Sequence, residues 1–264
     1  RQNFGDAFIF DYLVPMAAAI WSTGDEGILA FPIGMLSQFF NHHGLLDLKN
    51  RPQWYVVQGG SDQYVKVIRN RLQDLRLGCP VLAVTREKSR VLVTTEAGVE
   101  AFDEIVFACH SGQALAVLTD ASSAECEVLG AMGYSRNEVV LHQDTSVMPV
   151  RPKVWASWNY HAPLGASRAS LTYYMNRLQG FESNQPVLVT LNDVGSIDES
   201  LVLKRLHYEH PVFDAAMLKA QGRHAEISGI DRTHYCGAYW RYGFHEDGVV
   251  SGLRVVEALV ANGA

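Results

Sequence analysis

Pro80-Val81-Leu82-Ala83-Val84, then Val91-Leu92-Val93, then Ala101 through Ile105-Val106-Phe107-Ala108 to Cys109: this stretch decides the fold class. Its apolar runs are parted by two polar turns, Arg86–Ser89 and Glu96-Ala97-Gly98. The early runs are short and partly alternating, as in an antiparallel meander with one solvated face. The last run is apolar throughout, as in a strand buried on both faces. Ser111 then offers a cap for a helix over 112–119, with Ala114, Leu115 and Leu118 on its apolar side. Meander, buried strand and helix together predict an α/β chain.

Working outward, residues 6–21 and 28–42 have apolar residues at three- and four-residue steps and read as helices. Pro15 should kink the first, and Pro32 suits the first turn of the second. Residues 53–58 read as a short strand, broken by Gly59-Gly60-Ser61. A helix follows with Tyr64, Val65, Ile68 and Leu72 on one face. Beyond the meander, helices are expected at 123–132 and 212–222. Strands are expected near 139–143, 154–159, 170–175 and 187–191, with a loop over 192–200. The chain closes on a strand at His234-Tyr235-Cys236, then Gly237, an aromatic loop 239–244, and an amphipathic helix through Leu253, Val256, Leu259 and Val260.

Composition narrows the function classes. The chain has 264 residues, 48% hydrophobic, 19% charged and 10% aromatic, which marks a folded, enzyme-like chain. The net charge of -6 with no basic run argues against nucleic acid as a partner. Cys79, Cys109, Cys126 and Cys236 are scattered, without the spacing a zinc site needs, so no metal is expected. They read as small buried hydrophobes in a reducing, cytoplasmic setting. Arg1-Gln2-Asn3 leads straight into an apolar periodic segment with no leader pattern. No apolar stretch is long enough to span a bilayer. The start, without Met and already in helical register, is expected to be a truncation.

The closing strand, glycine, loop and helix have a physical use. A strand-end glycine lets backbone approach a ligand. A helix starting near Gly248 offers N–H groups and a positive dipole end to an electron-rich group. An ordinary turn glycine explains the same pattern.

The segment Gly237, Tyr239-Trp240-Arg241-Tyr242-Gly243-Phe244-His245-Glu246-Asp247-Gly248-Val249 and Ser251-Gly252 resembles the C-terminal FAD motif of the flavin amine-oxidase and phytoene-desaturase superfamily. It is closer still to a bacterial branch of amine-oxidase-like, NAD/FAD-binding proteins. That branch also resembles this chain at Asp11–Met16, Arg51–Trp54, Trp155–His161 and Met175–Gln179. The resemblance implies FAD as cofactor and a hydride taken from a C–N or C–C bond of an amine or lipid-like small molecule. It implies cofactor contacts at Gly59, Gly60, Val81, Cys109, His110, Gly237, His245, Glu246, Asp247, Gly248 and Val249. Two positions depart from the superfamily pattern: Ala238 stands where many relatives have an acid, and Asp247 where glycine is usual.

The resemblance also implies the domain plan. An incomplete FAD-binding, Rossmann-type domain of glutathione-reductase kind would comprise 53–121 and 231–264. A mixed α+β substrate domain would comprise 1–52 and 122–230. The Gly-x-Gly-x-x-Gly motif that opens the superfamily does not occur in these residues. A chain without it should bind FAD weakly and leave apolar surface open to self-association.

Candidate substrate-pocket residues are His142, Trp155, Trp158, Asn159, Tyr173 and Asn176, where aromatics carry polar residues between them. Aromatics on strands serve equally as core. No catalytic acid or base is assigned, since the cofactor carries the redox chemistry in such enzymes. The rival from another class is a cofactor-free binding module.

Overall fold

The computed structural model describes residues 4–21, 25–47, 49, 52–161, 170–193, 195–261 and 263. Arg1–Asn3 and Arg51, both used in the sequence reading, lie outside the described residues. The strands are β1 (Ala83–Arg86), β2 (Val91–Thr95), β3 (Gly98–Phe102), β4 (Ile105–Phe107), β5 (Tyr134–His142), β6 (Trp158–His161), β7 (Ser170–Tyr174), β8 (Leu188–Leu191), β9 (Val202–Pro211) and β10 (Thr233–Tyr235).

The chain divides into two compact units. The first is Arg1–Gln73 with Tyr134–His210, and the second is Asp74–Gly133 with Pro211–Ala264. Relative to the expected domain plan, 53–73 go with the first unit, and 122–133 and 211–230 go with the second.

In the first unit, the N-terminal helical stretch changes gauge. Ile9–Leu13 is a π turn, and Val14–Trp21 continues as α-helix. Pro15 has no N–H to give and its ring crowds the carbonyl one turn back, so the widened turn sits where that conflict falls. Trp21 packs on Phe31 and Phe39, with ring centroids 4.5 and 4.9 Å away. Helix Ile33–His42 buries Met35, Leu36, Phe39 and Phe40 along one face. The five-stranded sheet runs β6-β7-β8-β5-β9. Its edge strand β9 was not anticipated; it carries Lys204, Arg205, His207 and Glu209, so no apolar face announces it. Residues 53–58 form no strand. Trp54, Tyr55, Val56 and Val57 are exposed there.

In the second unit, β1, β2 and β3 form the antiparallel meander, with Val84 facing Val93 and Leu92 facing Ala101. The run 101–109 was read as one strand and is two. β3 closes the meander, and beyond Asp103-Glu104 β4 leaves it to pair in parallel with β10. Phe107 and Tyr235 stack across that pair at 5.5 Å.

A buried ionic cluster ties the unit together. Arg86 on β1 meets Glu125 on helix Ser123–Gly130, with Nη2 to Oε2 at 2.9 Å, and both side chains are almost fully buried. Tyr235 on β10 donates to Glu125 Oε1 at 2.6 Å, and Ser122 donates its N–H and hydroxyl to Oε2. Burial works to raise the Glu125 pKa, but Arg86, Tyr235 and Ser122 outweigh it and hold it at about 2. Ser122 and Glu125 also form the reciprocal cap that starts the helix.

Candidate functional site

The parallel pairing of β4 and β10 fixes what lies beyond them. Thr233 faces Ile105 and Tyr235 faces Phe107, and Cys236 N–H donates to Phe107 O at 2.9 Å. Both strands therefore end on the same side, delivering Cys109-His110 and Cys236-Gly237 to one edge. His110 sits at the start of helix Ser111–Val117, its N–H donating to Gln113 Oε1 at 3.2 Å. Burial pushes the Cys109 and Cys236 thiols up, so neither is an activated thiolate.

Gly237 is pinned by its N–H, which donates to Ser251 Oγ at 3.1 Å. A Cβ added there would lie 2.4 Å from Tyr239 Cε1, so a side chain at this position requires the Tyr239 ring to shift. The following loop is held by Gln221, whose amide donates to the carbonyls of Tyr239 and Arg241 at 2.8 and 2.7 Å.

The C-terminal helix begins at His245, three residues before the start expected near Gly248. Gly248 N–H is spent on Phe244 O at 3.2 Å. By helix geometry the N–H groups of Glu246 and Asp247 have no acceptor within the helix. The buried Asp247 carboxylate accepts from Phe244 N–H at 3.0 Å and has Arg241 Nε 3.6 Å away. The side chain that departs from the superfamily glycine thus seals its own helix start. Val249 is exposed on this first turn.

Two buried side-chain nitrogens, His234 Nδ1 and Trp240 Nε1, have no hydrogen-bond partner among the described residues. An unsatisfied buried donor costs about 1–3 kcal/mol. Trp240 carries one five residues before the helix begins, and nothing in the sequence announced it.

Three cofactor candidates remain. Val81 is exposed just ahead of β1. Gly59 and Gly60 belong to the first unit, both at positive φ (79° and 85°), in the turn before helix Asp62–Arg69.

The substrate-pocket candidates are sorted by sheet register. Trp158 on β6 faces Tyr173 on β7, Tyr173 faces Val189 on β8, and Val189 faces Leu141 on β5. These four form one row on one face, and all are at least partly open to solvent. Asn159 and His142 are on the opposite face, where they are buried. There Asn159 Nδ2 donates to Thr172 O, Thr172 and Thr190 share a 2.8 Å hydroxyl bond, and His142 Nε2 meets Thr190 Oγ1 at 2.7 Å. Burial lowers the His142 pKa, and its Nδ1 accepts from Asp144 N–H at 3.2 Å, so the ring is neutral and fully engaged. Trp155 and Asn176 lie off the strands. Trp155 Nε1 donates to Pro149 O at 2.7 Å, and Asn176 Oδ1 accepts from Val187 N–H at 2.8 Å.

A family model described as flavin containing amine oxidoreductase matches residues 1–260. The chain belongs to this family. No curated protein matches it. Among solved structures, a CLA-producing fatty acid isomerase from P. acnes is 14% identical at a TM-score of 0.51, over 75% of this chain and 52% of its own. A candidate protoporphyrinogen oxidase from Exiguobacterium sp. 255-15 is 15% identical at 0.58, over 97% of this chain and 64% of its own. A redesigned putrescine oxidase is 13% identical at 0.54, over 78% of this chain and 53% of its own. Such identities speak for the fold, which these proteins share with it. The chain thus spans between about half and two thirds of their length. No described helix is long and apolar enough to cross a membrane, and no cluster of metal-ligating side chains occurs among the described residues.

Proposed function

We propose that this chain supplies one end of an FAD site, and the substrate-binding part, of an FAD-dependent oxidoreductase acting on a C–N or C–C bond of an amine or lipid-like molecule. The observation that carries the proposal is the second unit's co-terminal strand pair feeding a family motif with unmatched donors. Trp240 Nε1 and the N–H groups of Glu246 and Asp247 suit an electron-rich group placed beside them. Cys109, His110 and Gly237, at the strand ends, would bring backbone close to the dinucleotide. When bound, FAD accepts the hydride at its flavin ring. The protein's own task is to hold that ring and keep water from it. Backbone donors at the helix start favour negative charge on the ring they face, as oxyanion-hole donors favour their intermediate.

The test starts from the encoding reading frame, with any codons ahead of Arg1 included. The purified protein should be yellow and release FAD on denaturation. Trp240→Phe, which removes the indole donor and keeps an aromatic ring, should lower flavin occupancy while far-UV circular dichroism is unchanged. Colourless protein from a frame that includes a Gly-x-Gly-x-x-Gly segment would favour the cofactor-free binding module instead.

A further inference from the structure

The two faces of the five-stranded sheet differ in a way that bears on what the first unit binds. On the buried face the polar side chains are spent within the sheet: Asn159 donates to the main-chain carbonyl of Thr172, and Thr172, Thr190 and His142 bond side chain to side chain. On the other face the row Trp158–Tyr173–Val189–Leu141 crosses four strands without a charged side chain. Three inter-strand steps make the row about 14 Å long. Trp158 is 38% exposed, and Tyr173, Val189 and Leu141 are half-buried. Trp158 and Tyr173 meet edge to face, at 5.8 Å and 78°, which leaves the Trp158 ring standing as a fixed flat surface. The next row, Tyr160–Leu171–Leu191–Val139, is also uncharged and mostly buried. Across both rows the polar side-chain atoms are two tyrosine hydroxyls and one indole N–H.

We infer that the Trp158–Tyr173–Val189–Leu141 row is the wall on which the substrate lies, and that it selects an extended hydrocarbon chain over a polyamine. The inference rests on the proposed oxidoreductase reading for the word substrate, and on charge for its choice. A polyamine carries an ammonium every few carbons. Laid on this row, each would lose water and find no carboxylate among the side chains of the two rows, a cost of several kcal/mol for each buried charge. A hydrocarbon chain loses only apolar hydration there, which is favourable.

The test uses the 264-residue chain with no flavin added, so that cofactor binding does not enter it. The probe is cis-parinaric acid, a polyene chain whose fluorescence rises in apolar surroundings. Saturable binding is expected, displaced by dodecanol below its aggregation limit and untouched by putrescine at the same concentration. Val189→Asp places a charge mid-row and should raise the dissociation constant on the order of ten-fold. Trp158→Ala should do so to a lesser degree. Val99→Asp is the control, since Val99 is an exposed apolar residue on β3 of the other unit. If Val189→Asp fails to fold by circular dichroism, Trp158→Ala decides, since Trp158 stands on the edge strand of the sheet. Equal displacement by putrescine, no saturable binding by the folded chain, or loss in Val99→Asp equal to that in Val189→Asp would overturn the inference. Flavin in the protein made from the encoding reading frame, with no hydrocarbon binding here, would sink the wall alone; hydrocarbon binding here, with a colourless protein from that frame, would sink the flavin reading alone.

Discussion

Replacing Glu125 by glutamine keeps the shape of the side chain and removes the charge at the centre of the second unit's ionic cluster. Arg86 would then remain buried with Asp120 as its one carboxylate partner, 3.1 Å from Nε and partly open to solvent. Two routes give the size of the loss. Breaking a buried pair by removing one partner costs about 3–5 kcal/mol. The drop of the Glu125 pKa from the ordinary 4.5 to about 2 in the fold corresponds to about 3 kcal/mol. Both put Glu125→Gln about 3 kcal/mol below the parent chain at pH 7. The sign with pH follows from the direction of the shift. A carboxylate depressed by folding adds stability that is complete above pH 4.5 and is lost as pH falls from there toward 2. The variant should lack that acid-sensitive part and converge on the parent near pH 2. The assay is urea unfolding at several pH values, with hydrogen exchange at the Cys236 amide, which donates to Phe107 O, to localise the effect to the β4–β10 pair. A loss below 1 kcal/mol at pH 7, or an acid limb of unchanged depth, would refute the reasoning.

Two further outcomes are expected. Gly237→Ala should destabilise by about 1–3 kcal/mol through overlap with the Tyr239 ring, and by clearly less in a Tyr239→Ala background; thermal unfolding of the four-member cycle checks this, and additive losses would mean that the ring is not the obstacle. Thiol titration with an aromatic disulfide at pH 7.5 should show prompt reaction at exposed Cys126 and slow reaction at buried Cys236, whose thiol pKa is raised by burial; Cys236 reacting as fast as Cys126, read in the Cys126→Ser variant, would show that the strand end is open.

The elements that could be read from sequence are those with an apolar period. Strands expected near 170–175 and 187–191 stand at Ser170–Tyr174 and Leu188–Leu191, and the second helix stands at Ile33–His42 within the expected 28–42. The family match over 1–260 agrees with the resemblance carried by the closing motif. β9 had no such period, because an edge strand with charges along it need not present an apolar face. Residues 54–57 had the composition of a strand but pair with no strand among the described residues. In the substrate candidates, Trp158 and Asn159 are adjacent, so opposite faces were implicit in the two-residue period of a strand. What could not be seen was that Thr172 and Thr190 would meet the polar members. The Ser122-x-x-Glu125 cap was visible as a pattern, yet Arg86 read only as a turn residue, 39 positions away. The orphan nitrogen of Trp240 is a property of its surroundings, and no residue-level rule predicts it.

The polar ladder behind the Trp158 row has a consequence for descent as well as for structure. In a sheet, a slip of one residue exchanges its two faces. Asn159, Thr172, Thr190 and His142 make such a slip costly, because each would be carried out of reach of its partner. Hydrogen bonds therefore guard the register from one side, and on the other side the buried Leu171, Leu191 and Val139 guard it by burial. The half-open Trp158 row is the part released from that duty, and it can drift in size between lineages while the strands keep their alignment. Changes along that row which keep it apolar would then reshape the surface while the hydrogen-bonded side still holds the strands in register.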